Sequence, residues 1–358
     1  MISRALQSAY VAIRKNPLSD TSASKHVQAA IHIYIAKDNL GKGHVTPMIY
    51  AVIKLAIGMY GLILGMHWMR SGLEELAADK LPIWIQRFVK TPTRGLFTGI
   101  FITLLLQSSG AVTVITIGFV SIGTITFADS IGVILGTNIG STITAQMIAL
   151  QLDRMAIPIL GIGFLVMICC KRPLRHIGQA LFGFGMIFTS LAFMTASLQP
   201  LAQSGWFRGL LQTSAANPLL GVLAGAFLTA LVQSSSATTA LTIALSSQHL
   251  VALPGAIAIV LGNNIGTCVT AVLAAIGNPI QARQVALAHV LLNVAGVAIF
   301  LPFLQPFTWL NQAITSSPAM QVAMAHTLFN IISSLLAWPI ARPFASFIEW
   351  LLPARQSV

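Results

Sequence analysis

A polar knot, Gln107-Ser108-Ser109-Gly110, interrupts an otherwise apolar run from Gly95 to Gly123, and a second, Gln233-Ser234-Ser235-Ser236, lies 126 residues later inside Gly221–Ser247. Neither run contains a charged residue. Hydrogen-bonding residues at the centre of a membrane-length segment are costly unless they are partnered or bind something. Aligned without a gap, 95–145 and 221–271 share 21 of 51 positions, among them Gly95/Gly221, Gly99/Gly225, Thr103/Thr229 and Thr113/Thr239. Each copy then reaches a second polar stretch, Gly136-Thr137-Asn138-Ile139-Gly140 in the first and Gly262-Asn263-Asn264-Ile265-Gly266 in the second. Duplicated polar interruptions of this kind are the mark of a transporter built from repeats with broken helices.

Composition sets the solvent. With 56% hydrophobic and 8% charged residues and a mean hydropathy of +0.82, the chain reads as an integral membrane protein of many spans. A soluble chain would carry roughly three times that charge. The net charge of +12 does not indicate nucleic acid, because Lys and Arg fall mostly in loops and the N-terminal tail, where lipid headgroups and the topology rule account for them. Cys169-Cys170 and Cys268 suggest neither a disulfide framework nor a metal site.

The chain divides into a basic tail (1–47), a first repeat (48–176) with a hairpin at 95–123 and a broken helix at 127–150, and a second repeat (177–304) with a hairpin at 219–250 and a broken helix at 254–276. Residues 305–358 supply one extra transmembrane helix and a tail. A continuous helix over Gly95–Gly123 would overshoot a hydrocarbon core of about 30 Å at about 1.5 Å per residue. Two arms turning at the knot fit instead, as a re-entrant hairpin. Charge tests this. With hairpins, Arg70–Arg94, Lys171–His176, Arg283 and Arg342 all fall on one face, cytoplasmic by the positive-inside rule, and the uncharged loop Gln305–Pro318 falls on the other, whereas full spans would scatter the basic loops. The scheme makes the halves inverted and leaves the basic tail on the outer side, against the rule. The expected fold is thus an all-α integral membrane protein of two inverted repeats, each with a re-entrant helical hairpin and a broken transmembrane helix.

The pattern Q-S-S-x-A-x-T, with G-x-N-I-G starting 29 residues after its Gln, occurs in both halves. It resembles the type II sodium/phosphate cotransporter family, over roughly Ala51 to Pro339. The resemblance implies a bacterial member in the cell membrane, the inner membrane of such a cell, that couples sodium movement to transport of inorganic phosphate. It implies phosphate-binding roles for Gln107, Ser108, Ser109, Gln233, Ser234, Ser235 and Ser236. Gly110 departs from the pattern, removing one hydroxyl from the first copy.

Elementary physics leads to a similar site. Where a hairpin turns, the second arm starts a helix whose first N–H groups lack partners, and Ser108/Ser109 and Ser234/Ser235 suit its N-cap. Two such helix starts form an anion site without buried Lys or Arg. Freed carbonyls at the two Gly-Asn breaks would ligate sodium, with Thr137, Asn138, Ser141, Asn263, Asn264 and Thr267 adding side-chain oxygens. None of the eight acidic residues lies deep in a span, which favours sodium over protons as the coupling ion, with a relay through His289 or His326 as the alternative. No cofactor is expected beyond that ion, and the partners are phosphate, sodium and lipid rather than nucleic acid. Other readings stay open: a sodium-coupled carrier for another oxyanion or a carboxylate, an intramembrane hydrolase using Ser109 and His289, or a phosphate-binding signalling protein. A lesser alternative for Gly136 and Gly262 is that they are helix contact points.

Overall fold

The computed structural model describes residues 22–202, 204, 209 and 217–353, with side chains from Ile49 onward. Residues 1–21, and most of the loop before Asn217, lie outside the described residues, so most of the basic tail is not assessed. The chain forms two units, Met1–Lys54 and Leu55–Val358. The first contains the beginning of helix α1 (Ser22–Ala77). The architecture below is that of the second unit, where the described elements are all helical.

After α1 come a short surface helix α2 (Leu81–Phe88) and the first knot region, α3 (Pro92–Leu106) and α4 (Ser109–Ser121). Then follow α5 (Phe127–Ala149), α6 (Asp153–Cys169) and α7 (Leu174–Ala202). The second knot region is α8 (Pro218–Val232) and α9 (Ser235–Ser247), followed by α10 (Leu253–Ala275) and α11 (Ile280–Phe300). The chain closes with α12 (Leu304–Ile314), α13 (Pro318–Ala337) and α14 (Ala341–Leu351). Among the described residues, six helical stretches are long and apolar enough to cross a membrane. This is a multi-pass integral membrane protein. The stretches containing α5 and α10 are its most buried spans.

Both knots sit where one helix ends and another begins. Thr91 caps α3 by accepting from the Arg94 N–H at 3.2 Å, with Pro92 in the first turn. Asn217 and Pro218 do the same for α8. α3 stops at Gln107 (φ 55°) and α8 at Gln233 (φ 53°), each in the left-handed region that usually ends a helix with glycine. The next serine, Ser108 or Ser234, is extended and caps the following helix by accepting from the N–H of Ala111 or Ala237. With 15 and 13 residues, α3 and α4 reach only about 22 and 20 Å at about 1.5 Å per residue, short of a full crossing.

Helix register gives their direction. A Cβ added at Gly132, Gly136 or Gly140 of α5 would run into the carbonyl oxygen of Pro92, Leu96 or Ile100 of α3. Both helices advance four residues per contact, so they run parallel. Since α5 starts beside the start of α3, only five residues after α4 ends, α4 runs back along the way α3 came. The second half repeats the pattern, with Gly262 and Gly266 of α10 against the carbonyls of Val222 and Ala226 of α8.

The two halves run in opposite senses. α13 is antiparallel to α5, since the Gln146 amide donates to the Thr327 hydroxyl (2.7 Å) and the Ser334 hydroxyl donates to the Leu135 carbonyl (3.1 Å). α11 is antiparallel to α13, with Phe300 against Phe329 and Gly296 against Ser333. α10 turns back into α11, where the Asn293 amide donates to Cys268 Sγ at 3.1 Å. Three reversals set α10 against α5 in direction.

Two expectations need correction. α5 and α10 are unbroken α-helices through Gly136–Gly140 and Gly262–Gly266. These glycines serve close approach: each meets the backbone of a parallel helix where no Cβ would fit, so the chain has no cause to unwind there. The stretch 305–318, read as an uncharged loop, is mostly the helix α12, with Leu304, Phe307, Thr308 and Asn311 buried at helical spacing.

Candidate substrate site

The hairpin turns meet at a cavity of about 180 Å³. Gln107, Ser108, Ser109, Gln233, Ser234, Ser235 and Ser236 all line it. All seven anion-site candidates are therefore brought together from two segments 126 residues apart. The first turns of α4 and α9 begin here, and their leading N–H groups precede any intrahelical carbonyl, so two partial positive charges of about +0.5 belong to this site.

The matched knots are not equivalent. The Gln107 side chain is buried, at 7% exposure. Its amide donates to the Leu104 carbonyl (2.6 Å) and accepts from the Thr144 hydroxyl (2.6 Å). Gln233, at the same backbone conformation, is exposed, and among the described residues its amide has no hydrogen bond. The missing hydroxyl at Gly110 has a steric counterpart: a Cβ there would lie 3.2 Å from the Thr270 methyl. Thr270 itself lines the cavity.

Only part of the sodium set reaches this place. Ser141 and Thr267 line the cavity, each donating its hydroxyl to a carbonyl in its own helix, Asn138 (2.9 Å) or Asn264 (2.7 Å). Thr137 is fully buried and donates to Ile134. The Asn138 amide donates to Asn293 Oδ1 at 2.9 Å, joining α5 to α11. Asn263 accepts from Thr229 and donates to Thr239, and Asn264 donates to the Val260 carbonyl. Asn138 and Asn263 join helices, Thr137 and Asn264 bond within their own helix, and none of the four lines the cavity. With α5 and α10 continuous, their carbonyls in this stretch are not released as a break would release them.

Two ionisable residues also line the cavity. Arg70, assigned from sequence to a charged surface segment, reaches the cavity from α1. Its Nε donates to the Gln107 carbonyl at 2.8 Å and its Nη2 to the Ser236 hydroxyl at 3.2 Å. The expectation of an anion site without Lys or Arg is therefore wrong. The long side chain carries its charge inward from a backbone position that reads as a span's end. A signal existed: Arg70 follows Met69, which aligns with Met194 in the second repeat, so it lies inside the repeated span, opposite Thr195. His289, 4% exposed, also lines the cavity, and neither ring nitrogen has a hydrogen-bond partner. Ser109 and His289 thus share a cavity, but no hydrogen bond couples them as a nucleophile and its base. Among the described residues, no carboxylate lines the cavity. Its chemistry is neutral donors, two helix starts and one guanidinium, which together suit an oxyanion.

Comparison with known proteins bears on this geometry. The profile of the family described as Na+/Pi-cotransporter matches twice in tandem, over residues 62–196 and 190–326, one match per knot. The chain is 36% identical over 255 residues to the uncharacterized protein YqeW of Bacillus subtilis, covering 71% of this chain and 83% of that one. It is 26% identical over 245 residues to the putative inorganic phosphate export protein YjbB of Escherichia coli, covering 68% of this chain but only 45% of the relative. It is 45% identical over 85 residues to human sodium-dependent phosphate transport protein 2C, 23% of this chain and 14% of that one. No solved structure matches the chain. A profile matched in both halves over more than half the length, each match spanning one knot, has one reading: this chain belongs to the Na+/Pi-cotransporter family.

Proposed function

We propose that this protein moves inorganic phosphate across the cell membrane by alternating access, driven by a sodium gradient. The observation that carries the reading is the convergence of both Gln-Ser-Ser knots and Arg70 on one cavity that, among the described residues, no carboxylate lines. A tetrahedral oxyanion would use the serine hydroxyls and leading N–H groups of two helix starts, and the guanidinium fork adds a full charge. The repeats 48–176 and 177–304 are the two arms of the cycle. Their opposite directions offer one central site two equivalent routes of access, one per membrane face.

Sodium enters through charge. Phosphate carries roughly −1.5 to −2 at neutral pH, judged from a phosphoryl group with second pKa about 6. Arg70 offsets one unit, and the remainder calls for a cation in a poor solvent. Ser141 and Thr267 are the sodium candidates at the cavity wall. Thr137, Asn138, Asn263 and Asn264, in the adjacent helix turns, would join them only if their present hydrogen bonds exchange. The family description and the names of YjbB and of protein 2C support phosphate as cargo.

The test is uptake of labelled phosphate into proteoliposomes with an inward sodium gradient, with choline in place of sodium, and with a proton gradient alone. Uptake is expected in the first condition only, with sulfate and dicarboxylates competing weakly. Equal uptake in choline with a proton gradient would overturn sodium coupling, and preferred uptake of sulfate or a dicarboxylate would overturn the substrate.

A further inference from the structure

The first hairpin arm and the surface helix before it leave a groove on the outside of the bundle. On α3, Gly95 and Gly99 pack against α5, while Arg94, Phe97 and Phe101, three and four residues apart, share another face. On α2, Leu81 and Ile85 are buried, and Trp84 and Phe88, one turn apart, look onto the same groove. The groove has a volume of about 500 Å³, with Arg94 in its otherwise apolar wall. Trp84 meets Phe101 edge-on at 5.7 Å, which ties α2 to α3. The Arg87 guanidinium lies 6.0 Å from the ring centroid of Phe88, so a second cation borders the groove, and the exposed Lys90 stands between the two arginines in sequence. These charges are unbalanced. The sequence has no acidic residue between Asp79 and Asp129, the Asp129 carboxylate accepts from the Thr126 hydroxyl, and among the described residues none of the three cations forms an ion pair. At the 126-residue offset the second repeat keeps the aromatic, Phe227 for Phe101, but has Thr213, Ala216 and Leu220 where the first has Arg87, Lys90 and Arg94. The repeated architecture therefore does not itself require them.

We propose that this groove is a binding site for an anionic phospholipid, its acyl chain against Phe97 and Phe101 and its headgroup phosphate held by Arg94 and Arg87. The apolar wall and the basic rim ask for one molecule with both characters. Trp84 stands between them, as tryptophan does at the level of lipid headgroups. A guanidinium pairs with a phosphate diester through its planar fork. A zwitterionic headgroup brings its own cation and gains less from a rim that carries three positive charges and no negative one. The groove lies on the face that carries most of the basic loops, where anionic lipid concentrates if that face is cytoplasmic. Its occupant touches the arm that leads to Gln107, from the side that α5 leaves uncovered. The inference holds whatever anion the central cavity carries.

The experiment is native mass spectrometry of the purified full-length protein titrated in detergent with phosphatidylglycerol or with phosphatidylcholine of the same acyl chains. Wild-type protein should bind phosphatidylglycerol about 10-fold or more tightly than phosphatidylcholine, and Arg87→Gln and Arg94→Gln should each weaken it about fivefold while leaving phosphatidylcholine unchanged. Phe97→Ala should weaken both lipids, because it shortens the wall that meets the chain. Arg154→Gln, an exposed charge beyond the far end of α5, should change neither. All four side chains are exposed, so the variants are expected to fold. Phosphatidylglycerol brominated in its chains should quench the part of the fluorescence that Trp84→Phe removes. Equal affinity for the two lipids would overturn the inference. So would wild-type phosphatidylglycerol affinity in both arginine variants, a loss in Arg154→Gln as large as in Arg94→Gln, or Trp84 fluorescence untouched by the brominated lipid. A dimer of this chain that carries no phospholipid would overturn it as well, by giving the groove to a second copy.

Discussion

Replacing Gln107 and Gln233 by leucine, one at a time, makes an internally controlled test of how the two knots divide their labour. The chemical change is the same, both residues end a helix, and both sit at left-handed φ, 55° and 53°, so backbone strain largely cancels between the variants. Surroundings differ. Gln107→Leu removes two hydrogen bonds of 2.6 Å, one buried and one partly buried, and leaves the Thr144 hydroxyl, 3% exposed, without its acceptor. At about 1 kcal/mol per bond and about 1–3 kcal/mol for an orphaned buried group, the net loss is roughly 2–4 kcal/mol of stability. Gln233→Leu breaks no side-chain hydrogen bond among the described residues, so its stability should stay within about 0.5 kcal/mol of wild type. What it removes is an exposed amide at the cavity wall, and one lost contact to a charged ligand, at about 1.5–3 kcal/mol, weakens phosphate binding about 10- to 150-fold. Thermal midpoints from size-exclusion chromatography of heated samples report the first quantity, and equilibrium phosphate binding the second. A Gln233→Leu protein that loses as much midpoint as Gln107→Leu, or that binds phosphate like wild type, would refute this division.

Gly136→Leu and Gly262→Leu should each lower the yield of folded, monodisperse protein, because the added side chain meets a backbone carbonyl that cannot move aside; overpacking of this kind costs about 1–3 kcal/mol or more. Gly118→Ala, where a Cβ would meet nothing within 4 Å, should be neutral or stabilise by up to about 1 kcal/mol, and chromatographic yield separates the cases. Ser141→Ala and Thr267→Val should raise the sodium concentration for half-maximal phosphate uptake at unchanged thermal midpoint, whereas Asn138→Leu, which strips Asn293 of a hydrogen bond, should lower that midpoint. Proteoliposome uptake read together with heated-sample chromatography checks all three.

Much of this protein is legible in its sequence because the membrane leaves few options for polar groups. Charge-free runs of membrane length fix helices, and a Gln-Ser-Ser knot in the middle of one demands a turn whose backbone groups are capped or bound, which Ser108 and Ser234 provide locally. Duplication at a constant offset then implies that the knots share a role, and the distribution of Lys and Arg favours hairpins over full spans. These features depend on neighbours within one or two helical turns. The rest depends on what lies alongside. A glycine in a membrane helix either loosens the backbone or admits a neighbour, and Gly136 and Gly262 do the second only because α3 and α8 run parallel against them. Gln107 and Gln233 are indistinguishable in pattern, yet Thr144 engages one amide and nothing within the described protein engages the other. Arg70 read as an edge charge because its chain neighbours are charged; its side chain reaches both knots only after α1 packs beside them. Local sequence determined where the chain must turn, and tertiary packing decided which groups at the turns remain free to meet an anion, since freedom depends on partners distant along the chain.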